Sequence, residues 1–130
     1  MHWDFRPWLR QGAVGFAVAA KGVATIDTAA VRFTQNSVKG AFRNGTSLND
    51  AAAALRAGGA EAAAKFPPIR LVQHEGQLFT LDNRRLLTFS QAGQQVPFRM
   101  ATEAEIAREW ASKFTTTGAQ GWGQFITVRP

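Results

Sequence analysis

Residues 67–100 constrain the fold more than any other part of the sequence, because the hydrophobic period switches twice between turn and cap signals. Ile69-Arg70-Leu71-Val72-Gln73 alternates as a strand, Glu75-Gly76 supplies a tight turn, and Gln77-Leu78-Phe79-Thr80-Leu81 returns as a second strand. Asp82-Asn83 then breaks the alternation. From Arg84 to Gln91 the apolar residues Leu86, Leu87 and Phe89, and then Ala92, recur at helical spacing, with Gly93 placed as a C-cap. Val96-Pro97-Phe98-Arg99-Met100 reads as a short strand, and its proline, lacking an N–H, predicts a position at the sheet edge. A hairpin that feeds a helix and then another strand requires a sheet with helices laid against it.

The flanks add elements of the same kind. Val31-Arg32-Phe33-Thr34-Gln35 reads as a first strand, followed by a loop over 36–45 that holds Lys39 and Arg43 beside Gly40 and Gly45. Ser47 with Asp50 three residues on imitates a capping box for a helix over 51–56, stopped by Gly58-Gly59. Residues 60–65 add a further turn before Pro67-Pro68 ends it. Thr102 with Glu105 repeats the capping pattern for a helix over 103–114, with Ile106 and Trp110 on one face. A loop over 118–123 and a last strand, Phe125-Ile126-Thr127-Val128-Arg129, complete the chain. No repeat or low-complexity linker interrupts it. At 130 residues and 45% hydrophobic, the sequence is expected to form one α+β domain, a small mixed sheet with flanking helices, over residues 31–130. Residues 1–30, rich in small side chains, are expected to pack on that domain or lead into it, and the start Met1-His2-Trp3 reads as that of an excised domain.

Composition removes several chemistries. With no cysteine there is no disulfide scaffold, no Cys-based zinc site and no thiol nucleophile. His2 and His74 are the only histidines, too few for a His-rich metal site, and the absence of tyrosine removes a phenolic nucleophile. The most apolar stretch, residues 13–20, is cut by Lys21, far short of the roughly 20 apolar residues of a spanning helix. Residues 11–30, nearly free of charge, read as a small-residue helix on the core or a spacer, with help in crossing a membrane as the sharper alternative. Fifteen basic against nine acidic residues give a net charge of +6, and eleven of the fifteen are arginines. Arginine's planar fork suits phosphate, so nucleic acid, a nucleotide or an acidic protein is the expected kind of partner.

The strand–helix junction Asp82-Asn83-Arg84-Arg85 is where such a partner is expected. Two arginines in a first helical turn oppose the helix dipole, and a bound phosphate would reverse that penalty. The alternative is that Asp82 caps the helix while the arginines pair with carboxylates elsewhere. His74 stands one strand away and is a candidate general base, or a structural histidine at a hairpin end. Gln35 can orient water or a base edge, or be a strand-end amide. Lys113, Thr115 and Thr116 can contact phosphate; alternatively Lys113 complements a helix C-terminus and the threonines form a solvated loop. Glu75 and Asp82 are the carboxylates that a Mg²⁺ ion would need. Trp110 reads as core, whereas Trp122 and Phe125 in a glycine-flanked loop are candidates for base stacking.

The run Pro67-Pro68-Ile69-Arg70-Leu71-Val72, Gly76-Gln77-Leu78-Phe79-Thr80-Leu81, Asp82-Asn83-Arg84-Arg85-Leu86, Ala92-Gly93, Val96-Pro97 resembles the ParB/sulfiredoxin fold. That family reads as proline, strand, glycine turn, strand, Gly-Glu-Arg-Arg or Asp-Gly-His-His-Arg, helix, Ala-Gly, Val-Pro. Together with Val31-Arg32-Phe33-Thr34-Gln35, Trp110 and Lys113-Phe114-Thr115-Thr116, the pattern is similar to toxin domains at the C-terminus of Rhs-type bacterial polymorphic toxins. The resemblance implies that Arg84 and Arg85, with Asn83, hold phosphate; on the residues alone, Asp82 or His74 is the candidate to activate water. It implies an antibacterial effector acting on phosphodiesters or nucleotides, foremost a nuclease. A nucleotide-hydrolysing or nucleotidyl- or ADP-ribosyl-transferring toxin, and a non-catalytic nucleotide- or DNA-binding module, are the alternatives. It further implies delivery by a larger Rhs-type chain, action in the cytoplasm of a recipient bacterium, and a cognate immunity protein. The sequence departs from the pattern at Asp82, where the family has glycine. It also lacks the motif histidines, and the missing cysteine excludes sulfiredoxin activity.

Overall fold

A computed structural model describes residues 17–18 and 24–130. The strands are β1 (Ala17–Val18), β2 (Ala24–Ile26), β3 (Arg32–Phe33), β4 (Ser37–Lys39), β5 (Ile69–His74), β6 (Gln77–Thr80), β7 (Val96–Met100) and β8 (Thr127–Arg129). The α-helices are α1 (Leu48–Ala63), α2 (Asn83–Ala92) and α3 (Glu103–Lys113). Six strands form a mixed sheet in the order β1-β2-β7-β5-β6-β3, and β4 and β8 form a separate parallel pair. The class is α+β, as expected from the sequence.

The hairpin forms where its turn residues direct it. Glu75 (φ 50°) and Gly76 (φ 76°) both take the left-handed conformation, which a two-residue hairpin turn of this hand demands, and the register runs from His74↔Gln77 to Leu71↔Thr80. Alternation then sends Leu71, Leu78 and Ile69 into a core shared with Ile26, Leu55, Phe89 and Val96, all of them fully buried. Each such side chain contributes about 1.5–3 kcal/mol by leaving water. α1 and α2 cover this core together, with Ala52 and Leu55 of α1 meeting Leu86, Phe89 and Ala92 of α2.

Several expectations change, and the last strand, expected over 125–129, is shortened to Thr127–Arg129 because the Phe125 N–H turns to the Gln120 carbonyl. β7 is an interior strand, flanked by β5 and β2, despite Pro97. β2 pairs with it only through Thr25↔Pro97 and Ile26↔Val96, and so short a ladder tolerates one missing donor. The strand expected over 31–35 is cut to Arg32–Phe33, because Thr34 leaves the ladder: its N–H donates to Asn83 and its carbonyl accepts from Thr115 and Thr116. The loop over 36–45 contains β4, which pairs in register with Thr127–Arg129 of β8. The stop at Gly58-Gly59 is a kink rather than an end. Gly59 (φ 56°, ψ −136°) leaves helical geometry, and the chain re-enters the helix so that Ala62, Ala63 and Phe66 reach the core.

The segment before residue 31 contributes β2 and the fully buried Ile26 to the sheet and core. Among the described residues no helix is long and apolar enough to cross a membrane. Of the stretch 11–30 expected as a small-residue helix or spacer, the described residues form β1, β2 and a 3-10 turn over Thr28–Ala30 instead of an α-helix; the rest of it, like His2, lies outside the described residues.

Candidate anion-binding cleft

An open cleft of about 930 Å³ lies where β6 ends and α2 begins. Residues 81–85 form one side, the loop 42–46 and the start of α1 another, residues 65–67 a third, and Glu109 and Lys113 of α3 the last. Six cations line it (Arg43, Lys65, Arg70, Arg84, Arg85 and Lys113) against two carboxylates, Asp82 and Glu109. The junction singled out in the sequence is therefore the base of a positively charged concavity.

Neighbouring groups hold its arginines. Arg84 Nη1 donates to the Ala41 carbonyl at 2.8 Å, and its guanidinium lies 6.0 Å from the centroid of the Phe42 ring. Arg85 Nη1 donates to the carbonyls of Pro67 and Pro68, each at 2.9 Å, while Nη2 stands 3.1 Å from Asp82 Oδ1. Burial pushes the Arg85 pKa down, and the Asp82 charge opposes that shift. The side chains of Arg43 and Lys65 are exposed and make no ion pair or hydrogen bond among the described residues.

Asp82 does not cap α2, contrary to one reading of the sequence. Its Oδ2 accepts from Arg70 N at 2.8 Å and Nε at 3.0 Å, and its Oδ1 accepts from Arg70 Nη2 at 2.8 Å. Arg70 forks further to Glu109 at 2.6 and 3.0 Å and reaches Glu105 at 3.4 Å. These partners raise the Arg70 pKa well above the ordinary arginine range, the Asp82 hydrogen bond most of all. The Arg70 contact, followed by that of Lys113, holds Glu109 down at about 2. Arg99, and then the backbone N–H of Thr102, hold Glu105 well below the usual carboxylate range. Lys113 Nζ is 2.9 Å from Glu109 and donates to the Leu81 carbonyl at 2.7 Å.

Asn83 is buried and works as a clamp. Its Oδ1 accepts from Thr34 N at 2.9 Å and from Gln35 N at 3.3 Å, and its Nδ2 donates to Thr34 Oγ1 at 2.9 Å and to Gln35 Oε1 at 3.1 Å. With every polar atom of its side chain engaged, it locks β3 to the start of α2 and fixes the Gln35 amide at the cleft wall.

Other expected site residues are not brought here. His74 sits at the hairpin end, 3.3 Å from Glu75 and inside a ring cluster with Phe79, Trp110 and Phe114, whose centroids lie 5.0–5.9 Å away. Trp110 stacks on Phe114 at 4.7 Å and is a packing residue. Thr115 bonds the Asn36 N–H at 3.0 Å, outside the cleft lining. Thr116 is buried, its hydroxyl unpartnered, and it too is absent from the lining. Glu75, at the turn with 84% of its side chain exposed, and Asp82, at the opposite end of β6, do not converge on a metal. Among the described residues no group of three His, Cys, Asp or Glu side chains could hold an ion. Trp122 and Phe125 are exposed but do not line the cleft.

Arg43, Lys65, Arg70 and Glu109 complete the site and were not singled out in the sequence. Arg70 sits at a polar position of an alternating strand and carried no signal of its own; Glu109 and Lys113 carried one, an i,i+4 pair on α3. Fold and cleft together define an α+β domain with a basic concavity at a helix N-terminus. Compared with known proteins, the chain has no significant match to a family model, a curated protein or a solved structure.

Proposed function

We propose that this chain is an antibacterial effector domain with a ParB/sulfiredoxin-like core, and that its cleft takes the phosphate of a nucleic acid or nucleotide as a phosphodiester-cleaving toxin. The observation that carries the reading is the excess of six cations over two carboxylates around the first turn of α2. Such a concavity focuses positive potential, and the unbonded N–H groups of a helix start add to it. Arg84 spends one Nη donor on Ala41 and keeps others for an anion. Arg85, braced by three acceptors, gives the site rigidity, and charge building on a phosphate in the transition state would meet both guanidiniums.

Water activation by Asp82 or His74 loses support. Both Asp82 oxygens are occupied by arginines, and His74 lies at the far end of the hairpin. This favours a second reading, a nucleotide- or nucleic-acid-binding module without chemistry. Delivery by a larger Rhs-type chain, action in a recipient's cytoplasm and a cognate immunity protein belong to the same proposal through the resemblance. An acidic immunity partner would suit the cleft.

Expression of the chain in a bacterium lacking any inhibitor, followed by recovery of plasmid, RNA and the nucleotide pool, tests the reading. Toxicity with nucleic-acid loss supports the nuclease, and toxicity with nucleotide loss moves the reaction to the free nucleotide. Harmless expression of folded protein that still binds nucleic acid leaves the binding module.

A further inference from the structure

The cleft has two chemically different sides. Beside the cationic junction stand Phe42 and Phe66, half-buried, with ring centroids 6.2 Å apart and planes inclined at 56°, and Pro67 next to them. Phe66 is anchored from below by an edge contact to the core Phe89 ring at 5.3 Å. Phe42 has no such anchor and is the ring that Arg84 overlies. The apolar wall therefore adjoins the arginines instead of lying on a separate face. Two amide groups also line the cleft. Asn44 spends its Oδ1 on the Thr46 N–H, and Gln35 spends its Oε1 on Asn83; both leave an NH₂ donor at the cleft.

We infer that the cleft takes one unstacked nucleotide, its phosphate against Arg84 and Arg43 and its base against Phe42 and Phe66, and that duplex backbone is not the ligand. The inference rests on the proposed phosphate reading and narrows its substrate class. A site for duplex backbone needs charge alone, because base faces inside a duplex are covered by their neighbours. Aromatic rings beside phosphate donors match a ligand whose base face is free, as in a single strand or a mononucleotide. Amide donors in the same cleft can meet the acceptors of a base edge. About 930 Å³ is room for a nucleotide, and four more positive than negative side chains supply the charge complement.

The test measures binding of four probes to the whole chain at one salt concentration: adenosine triphosphate, inorganic tripolyphosphate, a short oligothymidylate, and its duplex with oligoadenylate. Tripolyphosphate carries at least the charge of the nucleotide, so any preference for the nucleotide comes from the nucleoside. Adenosine triphosphate or the single strand is expected to bind about tenfold more tightly than tripolyphosphate and the duplex, and whichever does so identifies the source of the nucleotide. Phe42→Ala is expected to erase that preference by weakening nucleotide binding far more than tripolyphosphate binding, and Phe42→Trp to restore it. Circular dichroism and thermal melting confirm that both variants fold; Phe66, tied to Phe89, is left intact for that reason. Equal binding of tripolyphosphate and nucleotide, or a duplex that binds as well as the single strand, overturns the inference and leaves the phosphate reading standing. If none of the four probes binds, both fall together.

Discussion

Asp82 illustrates how far a residue's role depends on partners that sequence spacing does not reveal. The four-residue junction is legible in the sequence, because a strand pattern ends and a helix pattern begins there. Its internal division of labour is not. Asp82 turns backward to Arg70, twelve residues away, and Asn83 turns sideways to Thr34 and Gln35 across the sheet. Both choices follow from which strands become neighbours, and that is a tertiary outcome. Replacing Asp82 by alanine removes one carboxylate from a largely buried guanidinium and leaves it Glu109 and Glu105, so Asp82→Ala is expected to cost about 1–3 kcal/mol in denaturant unfolding. Arg43→Ala and Lys65→Ala remove exposed, unpaired cations; each is expected to weaken anion binding severalfold while stability moves by no more than about 0.5 kcal/mol. The carboxylates of this network also predict an acid limit. Glu109 is held at about 2, below its ordinary 4.5, and Glu105 is depressed as well, so the folded state binds fewer protons than the unfolded chain at low pH. The stability they contribute is present above about 4.5 and is lost as pH falls toward 2. Melting temperature followed across that window checks it, and Glu109→Gln should flatten the decline.

At the scale of elements, local signals placed the hairpin, the two capped helices and the Gly93 C-cap. Each depends on residues close in sequence: a left-handed pair at Glu75-Gly76, Ser47 bonding Asp50, Thr102 and Glu105 forming a reciprocal box. Strand order was not legible, because β7 lies inside only through β2, which arrives from seventy residues earlier in the chain. The kink in α1 belongs to this scale too. With φ 56° and ψ −136°, Gly59 holds a conformation that a Cβ penalises, so Gly59→Ala is expected to destabilise by roughly 1–3 kcal/mol although no atom stands in the way of the new methyl group. Urea denaturation measures it. Lys65, Phe66 and Pro67 follow directly after this kinked helix, so the same substitution should also loosen ligand binding at the cleft wall.

At the scale of the molecule, a net charge of +6 said only that an anion was expected. The fold gives that charge a place, gathering six cations from the loop after β4, the end of α1, β5, α2 and α3 into one concavity. Binding there should weaken as salt rises, with a slope set by the number of phosphates neutralised. The most direct measurement is an NMR titration of the isotopically labelled chain with a short oligothymidylate and, in parallel, with adenosine triphosphate. The account predicts that amide shifts concentrate on residues 83–85 and 42–46, with the ring protons of Phe42 moving alongside. Shifts confined to the exposed Trp122 and Phe125 loop, or none at all at ligand excess, would contradict it.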